Sequence, residues 1–173
     1  KSLSELGIEL SKLQMEQFII YYELLTEKNK VMNLTAITEY KEVISKHFVD
    51  SLALARIYSL KTEKVIDLGT GAGFPGIPLK IIYPEIELTL FDSLKKRLNF
   101  LDEVIKKLNL QKVSTLHGRA EDYGRDIKYR EKYDICISRA VARLPVLLEL
   151  CIPFVKKGGY FISYKSGNID EEI

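Results

Sequence analysis

A glycine-rich segment that follows a short apolar run is the part of this sequence best suited to chemistry. Residues 65–76 read Val-Ile-Asp-Leu-Gly-Thr-Gly-Ala-Gly-Phe-Pro-Gly, with alternating glycines at Gly69, Gly71 and Gly73. Because glycine has no β-carbon, such a loop can turn tightly away from a buried strand and let a ligand contact its backbone. Pro75 then suits the first turn of a helix. The pattern predicts a strand–loop–helix site for a nucleotide-like ligand.

Asp67 indicates which nucleotide-like ligand the loop favours. Residues 71–76 also satisfy the dinucleotide fingerprint G-x-G-x-x-G, but a carboxylate two residues before the first glycine would repel a pyrophosphate. S-adenosylmethionine has no phosphate, and its ammonium and sulfonium groups are cations that a carboxylate attracts. No Lys-Ser or Lys-Thr pair follows the glycines, which excludes a P-loop. The loop therefore favours S-adenosylmethionine, while a dinucleotide, or a tight turn without a ligand, stays open.

Asp92 ends the next predicted strand and suggests a bound adenosine. It lies 25 residues after Asp67, which leaves room for one helix between two parallel strands. An acidic residue at this position can accept hydrogen bonds from both ribose hydroxyls. NAD enzymes use the same device, so Asp92 does not choose between the two ligands. A helix N-cap before Ser93 is the alternative role, and it is compatible with ribose binding.

Two later strand ends add candidates to the site. Residues 118–122 follow the third predicted strand, where a backbone N–H and a carboxylate could contact an adenine ring, although an acidic helix cap is equally consistent. The fourth strand delivers Arg139 near the transferred group, which makes it a candidate for positioning, and no catalytic residue is assigned with certainty. His47 and His117 stand alone and are expected to pack or cap. No cluster of His, Cys or Asp has metal-ligand spacing.

Residue patterns that are absent near Arg139 limit the reactions that this site could catalyse. Residues 138–141 lack the Asn/Asp-Pro-Pro-aromatic pattern that holds an exocyclic amine. Cys136 and Cys151 fall within a strand and a helix, where they are expected to be core thiols rather than nucleophiles. A ring nitrogen with a free lone pair, such as guanine N7, can attack a sulfonium methyl without losing a proton. Catalysis would then consist of alignment and desolvation.

The chain alternates strands and helices after a helical beginning. Residues 1–60 follow a helical pattern, with a second helix beginning after Thr38. Predicted strands cover residues 64–68, 87–92, 112–117, 133–138 and 159–164, and predicted helices cover 75–83, 94–108 and 144–155. Repeated strand–helix units imply a mostly parallel sheet with helices on both faces and ligands outside the carboxyl ends of the strands. The sequence therefore predicts an α/β, Rossmann-like fold, with a helical N-terminal cap (residues 1–60) and a ligand-binding domain (residues 61–173) in one compact unit.

Length and composition are consistent with one soluble domain. The chain has 173 residues, 46% of them hydrophobic, and a net charge of +2, which alone does not indicate nucleic acid. Its two cysteines form neither a C-x-x-C motif nor a disulfide framework, which favours a reducing cytoplasm. No apolar run approaches the roughly 18 residues of a membrane span, and no signal-peptide pattern is present. We expect a cytoplasmic monomer without a membrane partner.

Several short motifs together resemble one known family. They are Asn33-Leu34-Thr35, His47-Phe48-Val49-Asp50-Ser51, residues 67–78, residues 92–97, Arg119-Ala120-Glu121 and residues 138–142. In this order and spacing they are similar to the RsmG (GidB) family of bacterial 16S ribosomal RNA methyltransferases over almost the whole chain. The resemblance implies a class I methyltransferase that uses S-adenosylmethionine to methylate guanine N7 in the 530 loop. Transfer would be direct, without a covalent enzyme intermediate, and the partner would be 16S rRNA or a small-subunit precursor.

The resemblance also implies residue roles. The family's donor site falls on Gly69, Phe74, Ala120, Glu121 and Arg139, with Asp92 as the ribose acceptor. Together with the loop, the predicted donor site comprises Asp67, Gly69, Gly71, Gly73, Phe74, Asp92, Ser93, Ala120, Glu121 and Arg139. Predicted RNA contacts are Lys95, Arg97, Arg119, Arg143 and Lys165, each of which could instead be a solvated surface charge.

The chain differs from the family at its C-terminal end, and two alternative functions stay open. Family members continue past residues 164–167 with a helix and an antiparallel strand pair, so the C-terminal strands are expected to be missing here and the last predicted strand to form an uncovered edge. A nicotinamide-dependent oxidoreductase, favoured by the embedded G-x-G-x-x-G, is one alternative function. A non-catalytic RNA-binding domain on the same fold is the other.

Overall fold

A five-stranded parallel sheet forms the centre of the protein. The structure, a computed structural model, describes residues 6–32, 34–35, 39–139 and 143–164. The strands are β1 (Lys64–Leu68), β2 (Glu87–Asp92), β3 (Val113–His117), β4 (Tyr133–Arg139) and β5 (Val155–Tyr164). They lie in the order β3-β2-β1-β4-β5, and every neighbouring pair is parallel. The predicted α/β fold is confirmed, and all strand ends that carry candidate residues share one edge.

Helices pack on this sheet, and the first of them precede it in the sequence. Helix α1 spans Lys12–Met32, and α2 (Tyr40–Glu42) continues as a π-helical segment, Val43–Val49, followed by a 3-10 turn, Leu52–Arg56. The remaining helices are α3 (Gly76–Ile82), α4 (Lys95–Lys107), α5 (Ala120–Tyr123) and α6 (Leu144–Cys151). No helix in the described ranges is long and apolar enough to cross a bilayer.

Alternating side chains of the strands supply a core on each face of the sheet. Val65 of β1 belongs to a cluster with α1, α3 and α4, whereas Ile66 belongs to a second cluster with α6 and the 3-10 turn that follows it. This period of two is the geometry of a strand covered on both sides. Helix α4 buries Leu98, Leu101 and Val104 on one stripe, as its sequence spacing predicts. Helices on both faces therefore hold the carboxyl edge of the sheet in place.

Helix α1 is fixed to the sheet domain by both packing and polar contacts. Tyr21 is fully buried, and its hydroxyl donates a hydrogen bond to the carbonyl of Ala72, 2.6 Å away, in the glycine-rich loop. The side-chain amides of Gln14 and Gln17 donate to the carbonyls of Ile81 and Leu108, each at 2.9 Å. Helix α1 thus packs against the glycine-rich loop and supports it.

The last helix and strand differ from the sequence expectation. The helix predicted over residues 144–155 ends at Cys151, because Ile152–Phe154 form a 3-10 turn in which Pro153 has no N–H to donate. Strand β5 begins at Val155 rather than at residue 159. The Gly158-Gly159 pair, which predicts a turn, instead forms an irregularity inside the strand, with Gly158 at a φ of +83°.

Candidate functional site

The glycine-rich loop owes its shape to backbone conformations that favour glycine. Gly69, Gly71 and Gly73 have φ angles of +73°, +60° and +102°, a region that other residues rarely adopt. A β-carbon on Gly73 would lie 2.7–2.8 Å from the Tyr21 hydroxyl and from the side chains of Ile77 and Leu101. A β-carbon on Gly71 would meet only the Gly69 carbonyl oxygen, 4.0 Å away. The loop is therefore tightly packed at Gly73 and open at Gly71.

Replacing Gly73 with alanine is expected to lower the free energy of unfolding by about 2 kcal/mol, through backbone strain and overpacking. The matched variant Gly71→Ala is expected to lose less, because its φ of +60° lies in the left-handed region and its β-carbon meets no steric clash. Urea denaturation of both variants measures the difference. Equal losses would show that the contacts of Gly73 with α1 and α4 do not constrain the loop.

Asp67 closes the loop onto the beginning of α3. Its Oδ2 accepts hydrogen bonds from the Thr70 hydroxyl at 2.7 Å and from the Gly76 N–H at 2.9 Å, and the residue is fully buried. Its Oδ1 is buried and has no hydrogen-bond partner among the described residues. Burial raises the pKa of Asp67 to about 6, against the lowering effects of these two hydrogen bonds and of the Arg139 charge. The carboxylate thus shapes the loop, a role that the sequence analysis did not anticipate.

Asp92 joins the loop to the beginning of α4. Its Oδ2 accepts a hydrogen bond from the Gly71 N–H at 2.9 Å, and its Oδ1 accepts one from the Leu94 N–H at 2.8 Å. The Arg97 guanidinium lies 3.4 Å from Oδ2. Only 2% of Asp92 is exposed. Asp92 therefore supports the start of α4 from two residues before its N-cap, Leu94, and it also lines a cavity.

A cavity of about 370 Å³ lies outside the ends of β1, β2 and β3, at the size expected of a small-molecule site. Six of the predicted donor-site residues line it: Gly69, Asp92, Ser93, Ala120, Glu121 and Arg139. Arg97 and Arg119, which the sequence predicts to contact RNA, also line this cavity. The structure thus brings together residues from four strand ends, those of β1, β2, β3 and β4.

A larger cavity of about 650 Å³ adjoins the first one. It is lined by Gly71 and Phe74 of the loop, by Thr35, His47 and Asp50 of the N-terminal region, and by Tyr164 at the end of β5. Gly69 and Arg139 line both cavities, so the two meet at these residues. Of the other predicted donor-site residues, Gly73 and Asp67 line neither and lie behind the loop.

Arg139 is held at this junction by a ring of contacts. Its guanidinium carbon lies 5.0 Å from the centre of the Phe74 ring. Its Nη2 lies 3.1 Å from Nδ1 of His47, and its Nη1 lies 3.4 Å from the Ser51 hydroxyl. The Ser51 carbonyl in turn accepts a hydrogen bond from the Tyr164 hydroxyl at 2.9 Å. The N-terminal helices and the last strand therefore both orient the arginine.

His47 is a site residue that sequence reasoning missed. It was expected to pack or cap, and it does pack on Phe74, with ring centres 4.5 Å apart at 12°, but it also lines the larger cavity. Because arginine can only donate, Nδ1 of His47 must accept the Arg139 hydrogen bond, which leaves the proton on Nε2, 2.8 Å from the Thr35 hydroxyl. Burial, assisted by the Arg139 charge, lowers the pKa of His47 to about 4.

The remaining predicted RNA contacts are scattered or lie outside the described residues. Lys95 is exposed at the start of α4, and Arg143 is exposed directly before α6. Lys165 lies outside the described residues, as do Asn33, Thr38 and residues 140–142 of the motifs. In the described part of the chain, no group of three or more His, Cys, Asp or Glu side chains is placed to hold a metal ion.

A family profile and relatives of known family agree on one family, and a solved structure agrees on the fold. The profile of the rRNA small subunit methyltransferase G family matches residues 14–173. A ribosomal RNA small subunit methyltransferase G of Lachnoclostridium phytofermentans is 60% identical, over 100% of this chain and 72% of the relative. One of Thermoanaerobacter sp. is 56% identical, over 98% and 71%. Among solved structures, a putative S-adenosylmethionine-dependent methyltransferase of Methanococcus maripaludis shares the fold, with a TM-score of 0.60 at 16% identity, covering 95% of this chain and 70% of that one.

Proposed function

The chain belongs to the rRNA small subunit methyltransferase G family, and on that premise we propose that it methylates N7 of a guanine in the 530 loop of bacterial 16S rRNA, with S-adenosylmethionine as donor. The observation that carries this proposal is the meeting of two cavities at Gly69 and Arg139. A methyl transferase needs one compartment for the donor, one for the target base and an opening between them. A protein of this kind would act in the cytoplasm on 16S rRNA or on a precursor of the small subunit.

The smaller cavity suits the adenosine of the donor. Asp92 lies at its wall with a carboxylate that can accept hydrogen bonds from ribose hydroxyls. Ala120 and Glu121 begin α5 in the same wall and would contact the adenine ring. Gly69, which lines both cavities, would lie beside the methionine portion. The donor methyl group would then face the larger cavity past Arg139.

The larger cavity suits a flipped base with N7 directed at the methyl group. In the transfer the N7 lone pair forms the new N–C bond while the C–S bond breaks. The electron pair of the C–S bond stays on sulfur. The positive charge moves from sulfur to the purine ring, and no proton has to leave N7. Alignment and exclusion of water therefore suffice for catalysis, which agrees with a site in which Arg139 positions groups rather than removing protons.

Asp50 is placed to select guanine in this cavity. It is the one acidic side chain among the described residues that line the larger cavity, and it is exposed there. A carboxylate accepts hydrogen bonds from both N1–H and the N2 amino group on the Watson–Crick edge of guanine, whereas adenine presents an unprotonated N1. N7 lies on a different edge of the base, the Hoogsteen edge, so Asp50 and the donor methyl group would contact different edges and would not compete for the same atoms.

The variant Asp50→Asn is expected to lower kcat/KM for RNA about 30-fold, because one of the two acceptors becomes a donor. The affinity for S-adenosylhomocysteine should not change. Methylation kinetics and calorimetry measure the two quantities, with Asp126→Asn, an exposed residue after α5, as the matched control. Equal kinetics for both variants would remove Asp50 from base recognition.

Ligand binding and methyl transfer together test the proposed function against its alternatives. Calorimetry should show tighter binding of S-adenosylhomocysteine than of NAD, whereas the reverse would favour an oxidoreductase. Incubation with labelled S-adenosylmethionine and either 30S subunits or naked 16S rRNA should transfer label to RNA. Binding of RNA without transfer would favour a non-catalytic RNA-binding protein.

A further inference from the structure

We propose that His47 is a positioning residue for methyl transfer, whose ring accepts a hydrogen bond from Arg139 and fixes that guanidinium where the two cavities meet. The inference rests on the proposed function, because the arginine matters only if the junction separates donor from base. His47 lies on the π-helical segment that follows α2, far in sequence from the strand ends that form the smaller cavity. Its role is therefore visible only in the folded protein.

Three contacts fix the orientation of the His47 ring. The stack on Phe74 sets the plane of the ring, with 4.5 Å between centres and 12° between planes. The Thr35 hydroxyl, 2.8 Å from Nε2, and the Arg139 guanidinium, 3.1 Å from Nδ1, set its rotation within that plane. A ring flipped about its Cβ–Cγ bond would put the Cδ2–H carbon where Nδ1 stands and the Cε1–H carbon where Nε2 stands, so Arg139 would lose its acceptor. Only one ring orientation and one tautomer satisfy all three contacts.

The His47 ring and the Arg139 guanidinium both contact the ring of Phe74. The Arg139 guanidinium carbon lies 5.0 Å from the Phe74 ring centre, so the phenyl ring contacts both the imidazole and the cation. Phe74 is 5% exposed and packs against Tyr21 and Phe48 on its other contacts. A buried aromatic floor and a fixed acceptor together hold an arginine more rigidly than either would alone. The lowered pKa of His47, to about 4, supports a neutral ring at physiological pH.

Two amide substitutions separate positioning from packing. In His47→Asn the amide oxygen stands where Nδ1 stands and can still accept from Arg139. In His47→Gln the amide reaches the position of Nε2, where it keeps Thr35 but offers Arg139 no acceptor in the same place. Both variants lose the ring stack on Phe74, so a comparison between them cancels the loss of packing.

His47→Asn is expected to keep kcat within about threefold of the wild type, whereas His47→Gln lowers it about 30-fold. Both should have similar melting temperatures and similar affinities for S-adenosylhomocysteine. In an Arg139→Ala background, His47→Gln should have no further effect on kcat, because the histidine acts through the arginine. Equal kcat values for the two amide variants, or a full effect of His47→Gln in that background, would overturn the inference.

The tautomer supplies a readout that does not depend on activity. Nitrogen NMR of the wild-type protein should show His47 neutral and protonated at Nε2. A ring protonated at Nδ1 would contradict the inference even if the enzyme is active. A wild-type protein that transfers no methyl group to 30S subunits or 16S rRNA would instead contradict the proposed function, so the two failures are distinguishable.

Discussion

Replacing Arg139 with alanine is expected to lower kcat for methyl transfer about 1,000-fold, the effect of removing one preorganised polar group from a reaction centre. The arginine lines both cavities, and its loss would open a passage through which water could enter the larger cavity, where the target base is proposed to bind. It also leaves Nδ1 of His47 without its donor. Single-turnover methylation under saturating donor and RNA measures the change directly.

Two further variants sharpen this prediction. Arg139→Lys keeps the charge but cannot reach His47 and Ser51 together from one planar fork, so it is expected to lose about 100-fold. Arg130→Ala is the matched control, because this exposed arginine lies just before β4, at the opposite end of the sheet, and it should behave as the wild type. Full activity of the lysine variant would show that charge alone is sufficient and that the fixed geometry is not needed.

Replacing Asp92 with alanine is expected to weaken binding of S-adenosylhomocysteine about 1,000-fold. Two ribose hydroxyls would lose a charged acceptor, and each such hydrogen bond contributes about 2 kcal/mol. The Gly71 N–H and the Leu94 N–H would also lose their acceptor, which would loosen the glycine-rich loop beside the proposed donor site. Calorimetry measures the affinity, and the melting temperature separates loss of binding from loss of fold.

Asp92→Asn and Asp102→Ala provide the controls for this result. The asparagine keeps one carbonyl oxygen and is expected to lose about tenfold in affinity. Asp102 is exposed on α4 and accepts a hydrogen bond from Thr115, so its replacement should leave binding unchanged. An unchanged affinity of Asp92→Ala would remove Asp92 from the donor site.

Much of the fold follows from local sequence patterns. The ends of β1, β2 and β4 carry Asp67, Asp92 and Arg139, and parallel pairing places these ends at one edge of the sheet. Apolar runs and the stripe of α4 were sufficient to predict these elements. The beginning of β5 was not predictable in this way, because Gly158 and Gly159 indicate a turn unless the partner strand is known.

The contacts between residues of the candidate site were harder to predict from sequence than the residues themselves. His47 and Arg139 are separated by 92 residues and meet through packing of the N-terminal helices on the loop. A lone histidine has no local pattern that distinguishes a cavity residue from a capping one. The spacing of His47 and Ser51, one helical turn apart, was the available signal, since both contact Arg139.

Asp67, which the sequence predicts to bind the donor, has a structural role in the folded chain. From sequence its charge was expected near the donor cations, whereas in the folded chain its Oδ2 accepts hydrogen bonds from Thr70 and Gly76. Its charge is buried behind the loop, where the pKa is raised to about 6. The carboxylate therefore acts on the loop directly, and any effect on a bound cation operates at longer range.

The most direct measurement of the central claim is to map the methyl group that the protein transfers from labelled S-adenosylmethionine. After incubation with 30S subunits and with naked 16S rRNA, nuclease digestion and mass spectrometry would identify the modified nucleotide and the atom that carries the methyl group. We expect one added methyl group per RNA, on N7 of a guanine in the 530 loop. A methyl group on another atom or another nucleotide, or no transfer to either substrate, would contradict the account.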